Sequence, residues 1–395
     1  MGGRLIIIRK ALFWLHLSAG TLAGIVIFIM SLTGVMLAWQ RQMIHWAGRE
    51  FHNQPQAGQA KLAPEALFAA AAKAKGGAPT ALILRSAADE PAAAEFGRES
   101  TLYINPYSGQ VLGEGSRAVR AFFRVTEDWH RWLAAGIESR ATARGITGAA
   151  NLIFLGVLIS GVYLWLPKMW TMQYLRPAIW FRRGRNGRAR DWNWHNTFGI
   201  WCVVPLIVIV GSGVVMSYPW ANDLVYRITG SEVPQPSGPG RGGAGGRGGP
   251  GRSGPAFETG RLNAMWAKAE QQVPEWKIIT FRPPASPRAP IQFQIDSGDG
   301  GRPQLRGQLT LDRKTGDVTR WEPFSSNSPG RRLRTWLRFS HTGEAFGIPG
   351  ETIAALASAG AMFLVWTGIS LAIRRLLRSV ARQKRTAEPV AGMVS

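Results

Sequence analysis

Six histidines occur in this chain of 395 residues, and four of them stand at places that repeat. His16 and His195 each follow a tryptophan, Trp14 and Trp194. Glycine comes four residues after each of them (Gly20, Gly199) and again eighteen residues after (Gly34, Gly213). His130 lies in Asp128-Trp129-His130-Arg131-Trp132 and His341 in Phe339-Ser340-His341-Thr342-Gly343, each just ahead of an apolar run. An imidazole set into an apolar run is costly unless it has work to do, because its polar nitrogens lose water. Such a group can be an axial ligand to haem, a metal ligand or a proton relay.

Four apolar segments, about 11–39, 147–166, 197–218 and 352–373, are long enough to carry these histidines across a bilayer. Some 30 Å of hydrocarbon needs roughly 20 helical residues. The first segment follows Arg4, Arg9 and Lys10 but exceeds the apolar stretch of a secretory signal and lacks a small-x-small cleavage site, so it reads as a retained anchor. Seven basic residues and no acid lie between Lys168 and Arg190, and Arg374, Arg375 and Arg378 follow the last span. Residues 40–142, by contrast, hold 12 basic and 10 acidic side chains. Positive charge stays inside, so both termini and the short middle loop are expected in the cytoplasm of an inner membrane. Trp39, Trp46, Trp165, Trp170 and Trp220 fall near span ends, where an interfacial aromatic belt belongs. The net charge of +23 is therefore assigned to topology, not to nucleic acid. The single cysteine, Cys202, sits inside a span and excludes both a disulfide framework and a thiolate cluster within one chain.

The loops repeat as well. Tyr103-Ile104-Asn105-Pro106-Tyr107-Ser108-Gly109-Gln110-Val111 matches Thr310-Leu311-Asp312-Arg313-Lys314-Thr315-Gly316-Asp317-Val318, each a strand, an Asx-initiated turn and a strand. Helical stretches precede them at 64–75 and 261–272. The expected fold is an integral membrane α-helical protein. It is a four-span bundle from a tandem duplication, with two small extracytoplasmic α/β modules. The expected segments are the N-terminus and first span (1–40), the first outer module with His130 (41–142), the second span (143–167) and a basic inner loop (168–191). Then come the third span (192–218), the second outer module (219–350) with a Gly/Pro/Arg-rich linker at 235–253, the fourth span (351–375) and a tail (376–395).

Parallel repeats are related by an axis along the membrane normal, so equivalent residues face each other across it. This pairs His16 with His195 near the inner surface and His130 with His341 near the outer one. Haem suits both pairs, since a bundle interior supplies opposed imidazoles. No carboxylate or thiolate accompanies either pair at ligand spacing, which disfavours zinc, and a proton relay stays open. His45 and His52 have no repeat partner and read as exposed loop residues, with His45 near enough to the surface to be a reserve ligand or a substrate contact.

The order of these features resembles the PepSY-associated transmembrane family. An early histidine in a span comes first, then the 103–111 pattern, Trp129-His130-Arg131-Trp132-Leu133 and a further span. A second copy ends in His341-Thr342-Gly343-Glu344-Ala345-Phe346-Gly347-Ile348-Pro349-Gly350. The resemblance covers nearly the whole chain and makes the two modules PepSY-like. It implies an iron-regulated membrane protein, and some members of the family are inner-membrane ferric-siderophore reductases with two b-type haems. It also implies that His16, His130, His195 and His341 are haem ligands. No Gly-x-Gly-x-x-Gly run follows a strand, so a separate cytoplasmic flavoprotein or quinol is the expected electron donor.

Arg131 and Arg338 lie beside the outer histidines in sequence and are candidates to bind haem propionates. Residues 219–350 carry 18 basic and 11 acidic side chains, a surface suited either to anionic ferric chelates or simply to solubility. Two other classes of function fit the same chain: a non-redox membrane scaffold or sensor, and a permease for iron or a related solute.

Overall fold

The computed structural model describes residues 2–56, 58–97, 100–166, 171–184, 186–235, 260–284, 286 and 289–387. Apart from Gln235, the linker expected at 235–253 lies outside the described residues, as do residues 388–395 of the tail.

The chain opens with a long helix α1 (Gly2–Leu37), a short α2 (Gln40–Trp46) and a 3-10 turn at Arg49–Phe51. Next come α3 (Pro64–Lys75) and four strands, β1 (Ala81–Arg85), β2 (Ala92–Phe96), β3 (Ser100–Ile104) and β4 (Val111–Glu114). Helices α4 (Arg117–Trp132) and α5 (Arg140–Trp165) complete this half, and α6 (Met172–Ile179) connects it to the next. The second half runs through α7 (Gly187–Ser217), α8 (Pro219–Ile228) and α9 (Leu262–Gln272). Strands β5 (Ile278–Arg282), β6 (Ile291–Asp296), β7 (Arg306–Leu311) and β8 (Val318–Pro323) follow, then α10 (Pro329–His341) and α11 (Gly347–Ala387). Setting α6 aside, the two halves present the same elements in the same order.

Helices α1, α5, α7 and α11 contain the four stretches long and apolar enough to cross a membrane, with mean hydropathies of 1.8 to 2.4. They outrun the spans expected from hydropathy because helix geometry continues past the apolar part. The α7 helix begins at Gly187, so His195 stands two turns inside it. The α11 helix carries Arg374, Arg375 and Arg378, whose long stems allow a span to end in charge. In the bundle α1 and α7 each pack against both α5 and α11. Ala23, Ile27, Ala150, Phe154, Leu158, Leu206, Val210, Ala357 and Ala361 form its apolar middle. A buried amide joins α5 to α7, where Asn151 Nδ2 donates to the carbonyl of Val210 at 3.0 Å. A Cβ on Gly213 would come within 2.9 Å of that amide, so the position admits only glycine without a shift.

The strands correct one expectation. In place of two separate modules there is one antiparallel sheet of eight strands, ordered β4-β3-β2-β1-β5-β6-β7-β8. The halves join where β1 pairs with β5, with Leu82 opposite Phe281 and Leu84 opposite Ile279. A four-stranded module alone would expose β1 or β5 as an edge of unpaired N–H and C=O groups, and pairing the two removes both edges. One apolar core runs beneath strands of both halves. From α3 it takes Leu67, Phe68 and Ala71, and from α9 it takes Leu262, Met265, Trp266 and Ala269, at the spacing of one helical face. The two Asx turns form as expected. Asn105 Oδ1 accepts from the Tyr107 and Ser108 amides, and Asp312 Oδ1 from the Lys314 and Thr315 amides. Gly109 and Gly316 end these turns at φ of +73° and +72°, a region that favours glycine.

Candidate functional site

His16 and His195 lie on α1 and α7, the helices on one diagonal of the bundle, and their rings stand 6.3 Å apart between centroids at an interplanar angle of 85°. His130 and His341 lie near the C-terminal ends of α4 and α10, and their rings are also 6.3 Å apart, at 68°. Serine caps start both of these shorter helices. Ser116 Oγ accepts from the Val119 amide and Ser328 Oγ from the Arg331 amide, each at 3.3 Å. All four rings are partly buried.

Each imidazole is held in the same way. Its Nδ1 meets a hydroxyl from a neighbouring span: Ser160 for His16 (3.0 Å), Thr367 for His195 (3.0 Å), Thr33 for His130 (2.9 Å) and Ser212 for His341 (3.2 Å). Every one of these hydroxyls donates its own hydrogen to a carbonyl of its own helix, Val157, Phe363, Ile29 and Val208 respectively. With that hydrogen so used, its oxygen is placed to accept from a ring protonated on Nδ1. The Ile209 carbonyl, which can do nothing but accept, takes the same Nδ1–H of His341 at 2.8 Å. This fixes the tautomer of His341 and suits the same one in the other three rings, in which Nε2, without a hydrogen-bond partner among the described residues, keeps the lone pair that a metal-binding imidazole needs.

Glycine follows each hydroxyl. A Cβ on Gly161 would lie 3.2 Å from His16 Cε1, one on Gly368 3.3 Å from His195 Cε1, and one on Gly34 3.7 Å from His130 Cε1. The Ser/Thr-Gly pairs 33–34, 160–161, 212–213 and 367–368 thus place one ring-orienting hydroxyl in each span, and at 34, 161 and 368 the glycine gives the ring room. The glycines at 34 and 213 are visible in the spacing of the sequence. The hydroxyls are missed there, although the recurrence of the dipeptide in every span is a signal that finds them.

The arrangement fits two imidazoles sharing one metal ion. A metal–nitrogen bond of about 2 Å puts a ring centroid about 3.1 Å from the ion, so two opposed rings stand about 6.2 Å apart. The α1 helix carries both His16 and Thr33, and the α7 helix both His195 and Ser212. Seventeen residues separate the two levels, about 26 Å at the rise of an α-helix. The pairs therefore occupy opposite ends of the bundle, with His130 and His341 at the end beside the sheet.

Arg131 lies next to His130 but pairs with Glu127 Oε1 at 2.9 Å and stacks over Trp132. Arg338 lies over the ring of Phe339. His45 stands on α2 and not in a loop, and His52 follows the 3-10 turn with its ring centroid 5.6 Å from that of His45. Cys202 packs in α7 against Gly360 of α11. At the end of the bundle far from the sheet, Trp194, Phe198 and Phe363 line a cleft of about 440 Å³ with Phe181, Arg182 and Arg190.

These features define a class: a membrane protein with four spanning helices, in which one histidine pair stands at each end of the bundle and a single sheet covers one end. The chain belongs to the family of the PepSY-associated TM region, whose model matches residues 13–375 and so takes in all four paired histidines. Comparison with curated proteins returns no match.

Proposed function

We propose that the chain is a di-haem b oxidoreductase of the bacterial inner membrane. On this reading it takes electrons from a cytoplasmic flavoprotein or a quinol and delivers them outside, to a ferric siderophore or another ferric chelate. Both termini face the cytoplasm and the sheet faces outward, as the basic loop 168–191 and the tail require. The matching halves are read as a tandem duplication. The observation that carries the proposal is the uniform setting of four imidazoles in two pairs, each with its Nδ1 against a hydroxyl of a neighbouring span.

His16 and His195 would hold one haem, and His130 and His341 the other. Haem, when bound, supplies reversible one-electron chemistry, tuned by its axial ligands and their hydrogen bonds. The chain's own residues do the rest. Ser160, Thr367, Thr33 and Ser212 orient the ligands and raise their basicity. The apolar layer from Ala23 to Ala361 keeps water out of the middle of the bundle. Arg131 and Arg338 border the outer pair, where they would meet carboxylates. The aromatic cleft beside Trp194 supports a quinol as donor, because flat rings and arginines suit a quinone head. The acceptor is substrate: hard oxygen donors hold Fe(II) less tightly than Fe(III), so its reduction loosens the chelate.

The visible spectrum of full-length protein, purified from cells supplied with haem, tests this. Two b-type haems per chain are expected, with His16→Ala and His195→Ala each losing the inner one and His130→Ala and His341→Ala the outer one. A well-folded preparation without a Soret band would overturn the proposal. Loss of both haems from every single variant would overturn the pairing.

A further inference from the structure

Away from both pairs, three side chains with ligand atoms converge at the sheet end of the molecule. His45 comes from α2, His52 from the residue after the 3-10 turn, and Glu90 from the tip of the β1–β2 hairpin. His45 Nε2 is 3.6 Å from Glu90 Oε1 and His52 Nε2 is 3.9 Å from Glu90 Oε2. One ligand atom from each residue lies within 4.8 Å of the other two. These separations are too long for hydrogen bonds, which run to about 3.2 Å. They are close to the roughly 3.3–3.6 Å between ligands that share one tetrahedral ion at about 2.0–2.2 Å. We propose that His45, His52 and Glu90 form a binding site for a divalent first-row transition cation.

The surroundings are those of a built site. Asp89 Oδ2 accepts from His52 Nδ1 at 3.2 Å, which leaves Nε2 of that ring for the ion and supplies the outer carboxylate that metal-ligating histidines usually have. The hairpin tip is held from three directions. The Asn53 amide donates to the Asp89 carbonyl at 2.7 Å, and Tyr107 Oη donates to the Ala88 carbonyl at 2.9 Å. Lys61 Nζ reaches the carbonyls of Arg85 and Ala87 at 2.7 and 2.8 Å. Glu90 is 16% exposed while His45 is 52% exposed, so the carboxylate is fixed and a path for the ion stays open.

Two imidazoles and one carboxylate select cations such as Zn(II), Co(II) or Fe(II) over Mg(II) and Ca(II), which prefer sites made of oxygen alone. The site belongs to one half only, since no histidine lies between His195 and His341. The fold therefore does not require it. It is also independent of the haem proposal, although on that reading it would lie on the side where the acceptor is reduced.

Untagged full-length protein in detergent, freed of metal with a chelator, can be titrated with Co(II) and followed by its d–d absorption. One equivalent per chain is expected, displaced by Zn(II). Glu90→Gln keeps the size of the side chain and should weaken binding at least tenfold, as should His52→Ala, while Asp89→Asn weakens it about 10- to 100-fold. Gel filtration and circular dichroism check that each variant is folded, and Glu90→Gln decides if His52→Ala is not. Absence of Co(II) binding in the wild type would overturn the proposal. So would undiminished binding in folded Glu90→Gln.

Discussion

At the residue scale, the hydroxyls that meet Nδ1 of His130 and Nδ1 of His341 stand at different distances. Thr33 Oγ1 is 2.9 Å from His130, and Ser212 Oγ is 3.2 Å from His341, whose Nδ1–H also reaches the Ile209 carbonyl at 2.8 Å. The Met30 carbonyl takes the corresponding place beside His130, so the nearer hydroxyl, Thr33, should carry more of its ring's orientation than Ser212. Thr33→Val keeps the shape of the side chain and removes its oxygen. We expect it to lower haem affinity at the outer site about 10- to 100-fold, the usual cost of a lost second-sphere partner. Ser212→Ala should have a smaller effect and Thr33→Ser almost none, with the inner site unchanged in all three, as measured by haem titration of apoprotein. Undiminished affinity in Thr33→Val would show that the hydroxyl does not orient the ring. In the sequence the paired histidines are readable because a repeat is a long-range pattern written in local spacing. The hydroxyls are not, because a Ser or Thr in a span ordinarily bonds its own helix, as these also do, and nothing local marks the second bond.

At the scale of elements, the four spans are readable because a bilayer imposes a length and a composition on each. The Asx turns are readable because Asn105 and Asp312 sit four residues before Gly109 and Gly316. The joining of β1 to β5 is not, since about two hundred residues separate partners whose alternation would serve an edge strand equally well. The consequence is cooperative. Trp266 on α9 is 2% exposed and stands edge-on to Phe293 at 5.6 Å, in a core that also includes Leu82 and Ile104 of the first half. Trp266→Ala should cost about 3–5 kcal/mol of the stability of the sheet unit. Because the core is continuous, hydrogen exchange should rise in β1–β3 as well as in β5–β8. Faster exchange confined to the second half would mean that the sheet behaves as two modules despite its single hydrogen-bonded order.

At the scale of the whole molecule, orientation decides what the two histidine pairs can connect. The end of the bundle far from the sheet carries Arg182, Arg183, Arg188 and Arg190 around α6 and the start of α7, and Arg374 and Arg375 on α11. Some of this charge is used within the fold: Arg190 and Arg374 both reach Asp191, and Arg375 lies over Phe13 and Trp14. Those contacts fix side chains without setting a direction. The proposed direction rests on the excess of basic over acidic residues, because lysine- and arginine-rich segments are generally retained on the cytoplasmic side. Cys202, the single cysteine, makes a direct test practicable, since replacing it by alanine removes the background thiol and relaxes its contact with Gly360. In that background Ser108→Cys, on the exposed β3–β4 turn, should react with a membrane-impermeant maleimide in cells whose inner membrane is intact. Arg182→Cys should react only after that membrane is permeabilised. The opposite labelling would put the sheet in the cytoplasm, and the pair His130 and His341 would then face the donor in place of the acceptor.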